Sequence, residues 1–147
     1  MKKVIKISTK ICGALLAVLG FSALATSCHY VKYGMPHGDY FIDGKIVSEE
    51  TNEPIKNLKV RFINNDREYA IDSIFTNGEG RFNFNYSKDL IRNYAIEVQD
   101  IDGEENGAFN DTIINVKINE NEFKGGDREW YDGVYRKSFD IKLKPKN

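Results

Sequence analysis

The sequence predicts an all-β protein, a two-sheet antiparallel β-sandwich of about seven strands, behind an N-terminal lipoprotein signal peptide. Three observations predict it. From Tyr40 onward apolar residues recur at every second position, the period of half-buried strands. Clusters of Asn, Gly, Pro and Asp punctuate the alternating runs, as turns require. No stretch carries the apolar spacing of a long amphipathic helix, so each strand's greasy face needs a second sheet to cover it.

The chain of 147 residues opens with Lys2, Lys3, Lys6 and Lys10 and has no acid before Cys28. Its apolar run, 11–25 (ICGALLAVLGFSALA), is shorter than the roughly 20 residues that cross a hydrocarbon core. A basic start, a short apolar stretch and a small-residue exit describe a secretory signal peptide. The exit, Leu24-Ala25-Thr26-Ser27-Cys28, resembles a lipobox, with the leucine one place early. That resemblance implies a diacylglycerol on the Cys28 sulfur and cleavage after residue 27. A thiolate is the strongest nucleophile the chain offers for that thioether, and several acyl chains hold a protein firmly to a bilayer. An uncleaved anchor and a plain signal peptide are the alternatives.

Cleavage would remove Cys12 with the leader and leave one acylated cysteine, so no disulfide forms within the mature chain. Its stability must come from a packed core, which about 120 residues can supply. Without the four leader lysines, 17 basic residues face 22 acids, a net charge of −5. No basic stripe is present, which excludes nucleic acid as a partner.

Residues 28–39 read as a lipidated tether, because Gly34, Pro36 and Gly38 discourage regular structure. The sandwich domain is expected over 40–147. Tyr40, Ile42, Gly44 and Ile46 share one strand face, and the turn 50–54 (ETNEP) follows. Leu58, Val60 and Phe62 alternate next, then Tyr69, Ile71 and Phe75. In 76–82 (TNGEGRF), Asn77-Gly78 suits a tight hairpin and Gly80 adds freedom. Phe82, Phe84 and Tyr86 form the next strand face. Residues 87–93 (SKDLIRN) suit one short helical turn capped by Ser87. Tyr94, Ile96 and Val98 mark a strand, as do Ile114, Val116 and Ile118. Phe139, Ile141 and Leu143 mark the last.

The segment from Gly44 to Phe84 resembles the carboxypeptidase regulatory-like domain, a transthyretin-like or Ig-like β-sandwich. The matching residues are Gly44, Ile46, Thr51, Pro54, Ile55, Thr76, Asn77, Gly80 and Phe82. Asn52 and Asn57-Leu58 depart from the usual glycine and Gly-Ala. The resemblance implies a small, non-catalytic domain that supports folding, display or binding. The stretches YGMPHGDYFIDGKIV, DIDGEENGAF and GGDREWYDG resemble a group of small Gram-negative lipoproteins associated with radical SAM enzymes. That implies a shared pathway, such as peptide modification and export, and no activity in this chain, which lacks the C-x-x-x-C-x-x-C cluster motif. Lipidation in such a bacterium places the protein in the cell envelope. With no early acidic run after Cys28, it is expected to face the periplasm.

Two loops carry the candidate sites for an envelope protein or peptide partner. Asp100, Asp102, Glu104 and Glu105 cluster around Gly103 and Gly107. Such oxygen-rich loops suit Ca²⁺, with Asp100, Asp102 and Glu104 as the ligand candidates. The glycine and terminal acid are out of place for an EF-hand, and a solvated acidic connection is the plainer reading. Trp130 and Tyr131 in 125–135 could stack on a sugar or a partner, or fold back onto one end of the sandwich. His29 and His37, even with Asp39, are too few for zinc. No G-x-S-x-G elbow or other catalytic constellation is present, and no cofactor is expected. Asp72-Ser73-Ile74 and Asp111-Thr112-Ile113 resemble an O-glycan acceptor motif of Gram-negative envelope proteins. The expected function is therefore a membrane-anchored, non-catalytic interaction module, with a calcium- or carbohydrate-binding module as the alternative.

Overall fold

The computed structural model describes Ala14, residues 34–127 and residues 129–146. Cys28, His29 and, Ala14 aside, the leader lie outside the described residues. Within the compact unit Met35–Asn147 the described residues form eight strands: β1 (His37–Ser48), β2 (Lys59–Asn64), β3 (Tyr69–Phe75), β4 (Arg81–Asp89), β5 (Asn93–Gln99), β6 (Thr112–Lys117), β7 (Lys124–Gly125) and β8 (Tyr131–Leu143). They make two four-stranded sheets, ordered β4-β1-β8-β7 and β3-β2-β5-β6. The all-β sandwich expected from the alternation is present. Among the described residues no helix is long and apolar enough to cross a membrane.

The arrangement is not wholly antiparallel. β1 and β8 run parallel, from His37↔Tyr131 to Ser48↔Leu143. The other strand pairs are antiparallel. Short turns force neighbouring strands to run in opposite directions, but β1 and β8 are joined only through the whole intervening chain and so can align. Apolar periodicity carries no information about strand direction.

The inner faces meet in one core. Tyr40, Ile42, Phe84 and Tyr135 from the first sheet pack with Val60, Phe62, Tyr94 and Ile96 from the second. The Phe62 ring lies 5.7 Å from Phe84 and meets Tyr94 edge-on at 5.3 Å. Gly44 faces inward because the Phe82 ring occupies its side-chain space; a Cβ there would stand 2.5 Å from that ring. Gly38 likewise makes room for Phe123, at 2.6 Å. This close packing is why position 38 holds a glycine within β1, which begins at His37 rather than at Tyr40.

Three local expectations change. Residues 87–93 contain no helical turn: β4 runs through Ser87 to Asp89, and tertiary acceptors take the backbone donors that a helix would use. Leu90 N–H donates to Pro36 O at 3.1 Å and Ile91 N–H to the Tyr40 hydroxyl at 2.8 Å. Arg92 and Asn93 donate to Asp66 Oδ2 at 2.9 and 3.0 Å. One short 3₁₀ turn forms instead at Glu120–Glu122. In β3 the register slips opposite Phe62/Ile63, so Ile71 and Ile74 pack on the core while Tyr69 and Phe75 remain exposed. A bulge of this kind inverts the face that strict alternation assigns. Lastly, 76–80 carries the chain from one sheet to the other and closes no hairpin. Gly80, not Gly78, takes the positive φ, at 68°.

Candidate functional site

The aromatic loop sits where the chain enters the sandwich, between β7 and β8. Gly133 allows the two strands to close: its φ is 108°, and a Cβ there would fall 2.4 Å from Lys124 O. Asp127 organises the turn. Its Oδ1 accepts the N–H groups of Glu129, Trp130 and Tyr131, each at 2.9 Å. Trp130 O then accepts the His37 N–H at 3.1 Å, tying the loop to β1. Trp130 and Tyr131 are both half-buried, so the loop is folded against the sandwich rather than extended from it.

A polar cluster surrounds Tyr131. Its hydroxyl donates to Asp39 Oδ2 at 2.7 Å, and its ring lies 5.2 Å from the His37 ring. The hydrogen bonds from Tyr131 and Ser87 hold the Asp39 carboxyl below the usual carboxylate range. The same bond to Asp39 pushes the Tyr131 phenol up. Beside this cluster a shallow cleft of about 220 Å³ is lined by Pro36, Leu90, Arg92, Glu120, Glu129 and Asp132. Arg92 and Glu120 pair within it at 3.0 Å.

The acidic loop closes the opposite end, between β5 and β6. Asp100 fixes its ends: its N–H donates to Asp111 Oδ1 at 3.1 Å, and its Oδ2 accepts the Phe109 N–H at 2.6 Å. Its Oδ1 is buried with no hydrogen-bond partner among the described residues. The Asn106 amide donates to Asp102 Oδ2. Phe109 is buried and bridges to Pro145, and Lys146 N–H donates to Ala108 O at 2.8 Å. The loop is thus stitched to the chain's last residues, while Glu104 and Glu105 stay exposed.

The candidate residues therefore form two surfaces, not one. Trp130 precedes β8 and Pro145 follows it. A strand of 13 residues separates the ends by on the order of 40 Å. The calcium candidates do not converge either: Asp100 and Asp102 hold their own loop, Glu104 is exposed, and among the described residues no group of three His, Cys, Asp or Glu side chains could hold a metal. Asp72-Ser73-Ile74 lies in edge strand β3, and Asp111-Thr112-Ile113 leads into edge strand β6.

Several organising residues escape a reading by periodicity. Asp127 and Asp66 act through backbone N–H groups and leave no apolar signature. Their one sequence signal is an acid inside a glycine- or asparagine-rich turn. The buried Tyr94–Tyr135 hydroxyl pair, at 3.1 Å, reads from sequence as ordinary core.

No family model matches the sequence, and no curated protein matches it. Among solved structures, the chain is similar to the TIE protein of Bacillus anthracis, at 11% identity and a TM-score of 0.48, over 75% of this chain but only 17% of that one. It is also similar to 5-hydroxyisourate hydrolase of Klebsiella pneumoniae, at 16% identity and a TM-score of 0.47, over 74% of this chain and 92% of that one. A third is BcpA, the major pilin subunit of Bacillus cereus, at 11% identity and a TM-score of 0.45, over 74% and 31% of the two chains.

Proposed function

We propose that this protein is a non-catalytic lipoprotein of a Gram-negative cell envelope. It is held to a membrane through Cys28, faces the periplasm, and presents its acidic loop to an envelope protein or a peptide. The observation that carries the reading is the placement of that loop. The chain enters the sandwich at His37, and residues 100–111 close the sandwich's other end. Asp100 holds the loop's shape, while Glu104 and Glu105 are exposed. A preformed loop loses little conformational entropy on binding, and its partner should carry lysines or arginines. The absence of catalysis is supported by how the carboxylates are used: Asp66, Asp100 and Asp127 each accept backbone N–H groups. The link to a radical SAM pathway rests on the sequence resemblance and suggests a modified peptide as the partner to try.

Fractionation tests the anchor. The wild-type chain should be acylated and membrane-bound, and Cys28→Ser should move it to the soluble fraction without acyl label. A serine variant that stays in the membrane would refute the anchor. Capture with Glu104→Lys/Glu105→Lys tests the loop: partner recovery should fall, and unchanged recovery would remove the loop from the function.

A second reading, calcium at the same loop, has the buried and unbonded Asp100 Oδ1 in its favour. A ligand that binds only the folded state raises the melting temperature. No rise at millimolar Ca²⁺ discards this reading.

A further inference from the structure

We propose that β4 is a self-complementary edge through which two copies of this chain pair antiparallel, extending the first sheet across a two-fold axis at Asn85. The first support is that β4 is an open edge. It has nine residues, pairs with β1 alone, and does so without a register break. The other edges are poorer. β3 carries the bulge, β7 has two residues, and β6 has six. Edges that must stay unpaired usually carry a bulge, a proline or an inward-pointing charge; β4 has no bulge and no proline, and the one charge on its inner face, Lys88, is exposed at the strand's end.

The phase of the ladder is the second support. Ile46 N–H donates to Gly80 O at 2.8 Å, and Leu90 N–H to Pro36 O at 3.1 Å. Even-numbered residues along this segment therefore face β1. The odd-numbered residues turn their N–H and C=O groups outward. Arg81 is already engaged by Asn77, through its N–H at 2.9 Å and its C=O at 3.0 Å. Asn83, Asn85 and Ser87 remain to bond a second strand. An axis at Asn85 sets Asn85 opposite itself and Asn83 opposite Ser87, both as hydrogen-bonded pairs of an antiparallel ladder.

Charge fixes the register. The same axis sets Arg81 of each copy opposite Asp89 of the other, twice by symmetry, with the uncharged Asn83, Asn85 and Ser87 between them. Moving the axis to Phe84 would set Asp89 against Glu79, a like-charge pair, and would leave Arg81 opposite Ser87. Moving it to Tyr86 would leave both charges unmatched. Within one copy, Arg81 reaches Glu79 at 3.4 Å and Asp89 meets Arg67 at 3.3 Å. Both are exposed pairs that can rearrange at little cost. On the inner side, Phe84 of one copy would lie beside the half-buried Tyr86 of the other, adding cross-strand aromatic contact.

The test uses the full chain, in membranes and in detergent extract. Asn85→Cys should oxidise to a covalent dimer, because hydrogen-bonded antiparallel pairs hold their Cα atoms about 5.5 Å apart, within disulfide reach. Asn115→Cys, exposed on β6, should cross-link no more than the wild-type chain under the same oxidation. The wild-type extract should sediment as a dimer. Arg81→Glu should weaken association roughly tenfold, and Arg81→Glu/Asp89→Arg should restore it, with wild-type melting temperatures marking intact folds. A monomeric wild type, an Asn85→Cys cross-link no stronger than that of Asn115→Cys, or an Arg81→Glu variant that associates normally would each overturn the proposal.

Discussion

The Thr76 hydroxyl donates to Ile55 O at 2.8 Å and accepts the Leu58 N–H at 3.1 Å. Its backbone bonds Leu58 O and Asn57 N–H, both at 3.0 Å. One buried side chain thereby fixes the connection that enters β2. The next residue, Asn77, accepts the N–H groups of Glu79 and Arg81 on its side-chain oxygen, at 3.0 and 2.9 Å. Its own carbonyl takes the Gly80 N–H at 2.9 Å. The turn chemistry of Thr76-Asn77 and Gly80 was legible as a motif, but the partners were not. Ile46 O lies 2.4 Å from where a Gly80 Cβ would be, and that carbonyl is more than thirty positions away in the chain. Gly80→Ala should therefore destabilise the fold by about 3 kcal/mol, from left-handed strain plus displacement of the β1 backbone. That is a fall of roughly 10–20 °C in melting temperature. Gly78→Ala, with nothing within 4 Å of its added carbon and no positive φ, should change it little. Equal effects at the two glycines would show that the turn is not held as described.

At the scale of elements, strands were legible wherever one face is fully buried. β2 alternates cleanly, and β5 does so apart from the small, buried Ala95, because Val60, Phe62, Tyr94, Ile96 and Val98 all enter the core. Sequence fails where long-range polar bonds decide. Asp66, from the β2–β3 turn, takes the N–H groups that a helical turn at 87–93 would need. The Asn93 side chain bonds the same carboxylate, holding its pKa below the ordinary range. Likewise the bulge in β3 lets Asp72 meet the Tyr86 hydroxyl across the sheet edges, a pairing that no periodicity encodes. The acidic loop follows the same rule: its composition was visible, but not the role of Asp100 as its internal fastener. Asp100→Ala should leave the Phe109 N–H without its acceptor and cost about 1–2 kcal/mol. Hydrogen exchange at the Phe109 amide should accelerate, whereas Glu104→Ala, at the exposed tip, should leave it unchanged. An unaltered Phe109 exchange rate in Asp100→Ala would show that the loop is held by other contacts.

For the whole molecule, the layered architecture was legible because two-faced strands demand two sheets. The parallel seating of β1 beside β8 was not, since it depends on the path of the entire chain. That path brings three tyrosines into the core: Tyr40 at 0% exposure, Tyr94 at 0% and Tyr135 at 1%. Burial raises the Tyr40 phenol to about 12, although the Ile91 N–H donated to its oxygen opposes the rise. Burial pushes Tyr94 and Tyr135 up as well. An unfolded tyrosine ionises near pH 10. Above that value the unfolded chain loses protons that the folded chain keeps, so stability present below pH 10 falls as pH rises toward 12. Linkage sets a ceiling of about 1.4 kcal/mol per pH unit for each tyrosine. Absorbance at 295 nm, followed with circular dichroism, should show the exposed members of the eight tyrosines ionising first. The buried three should ionise only as the sheets melt. Tyr94→Phe/Tyr135→Phe removes both partners of one hydrogen bond while preserving shape, which is close to neutral at pH 7. It should also move the alkaline melting midpoint upward, because two of the three ionisations that pull the chain open are gone. If all eight tyrosines ionise in one wave near pH 10 with the sheets intact, these phenols are reachable by water and the core is not packed as described.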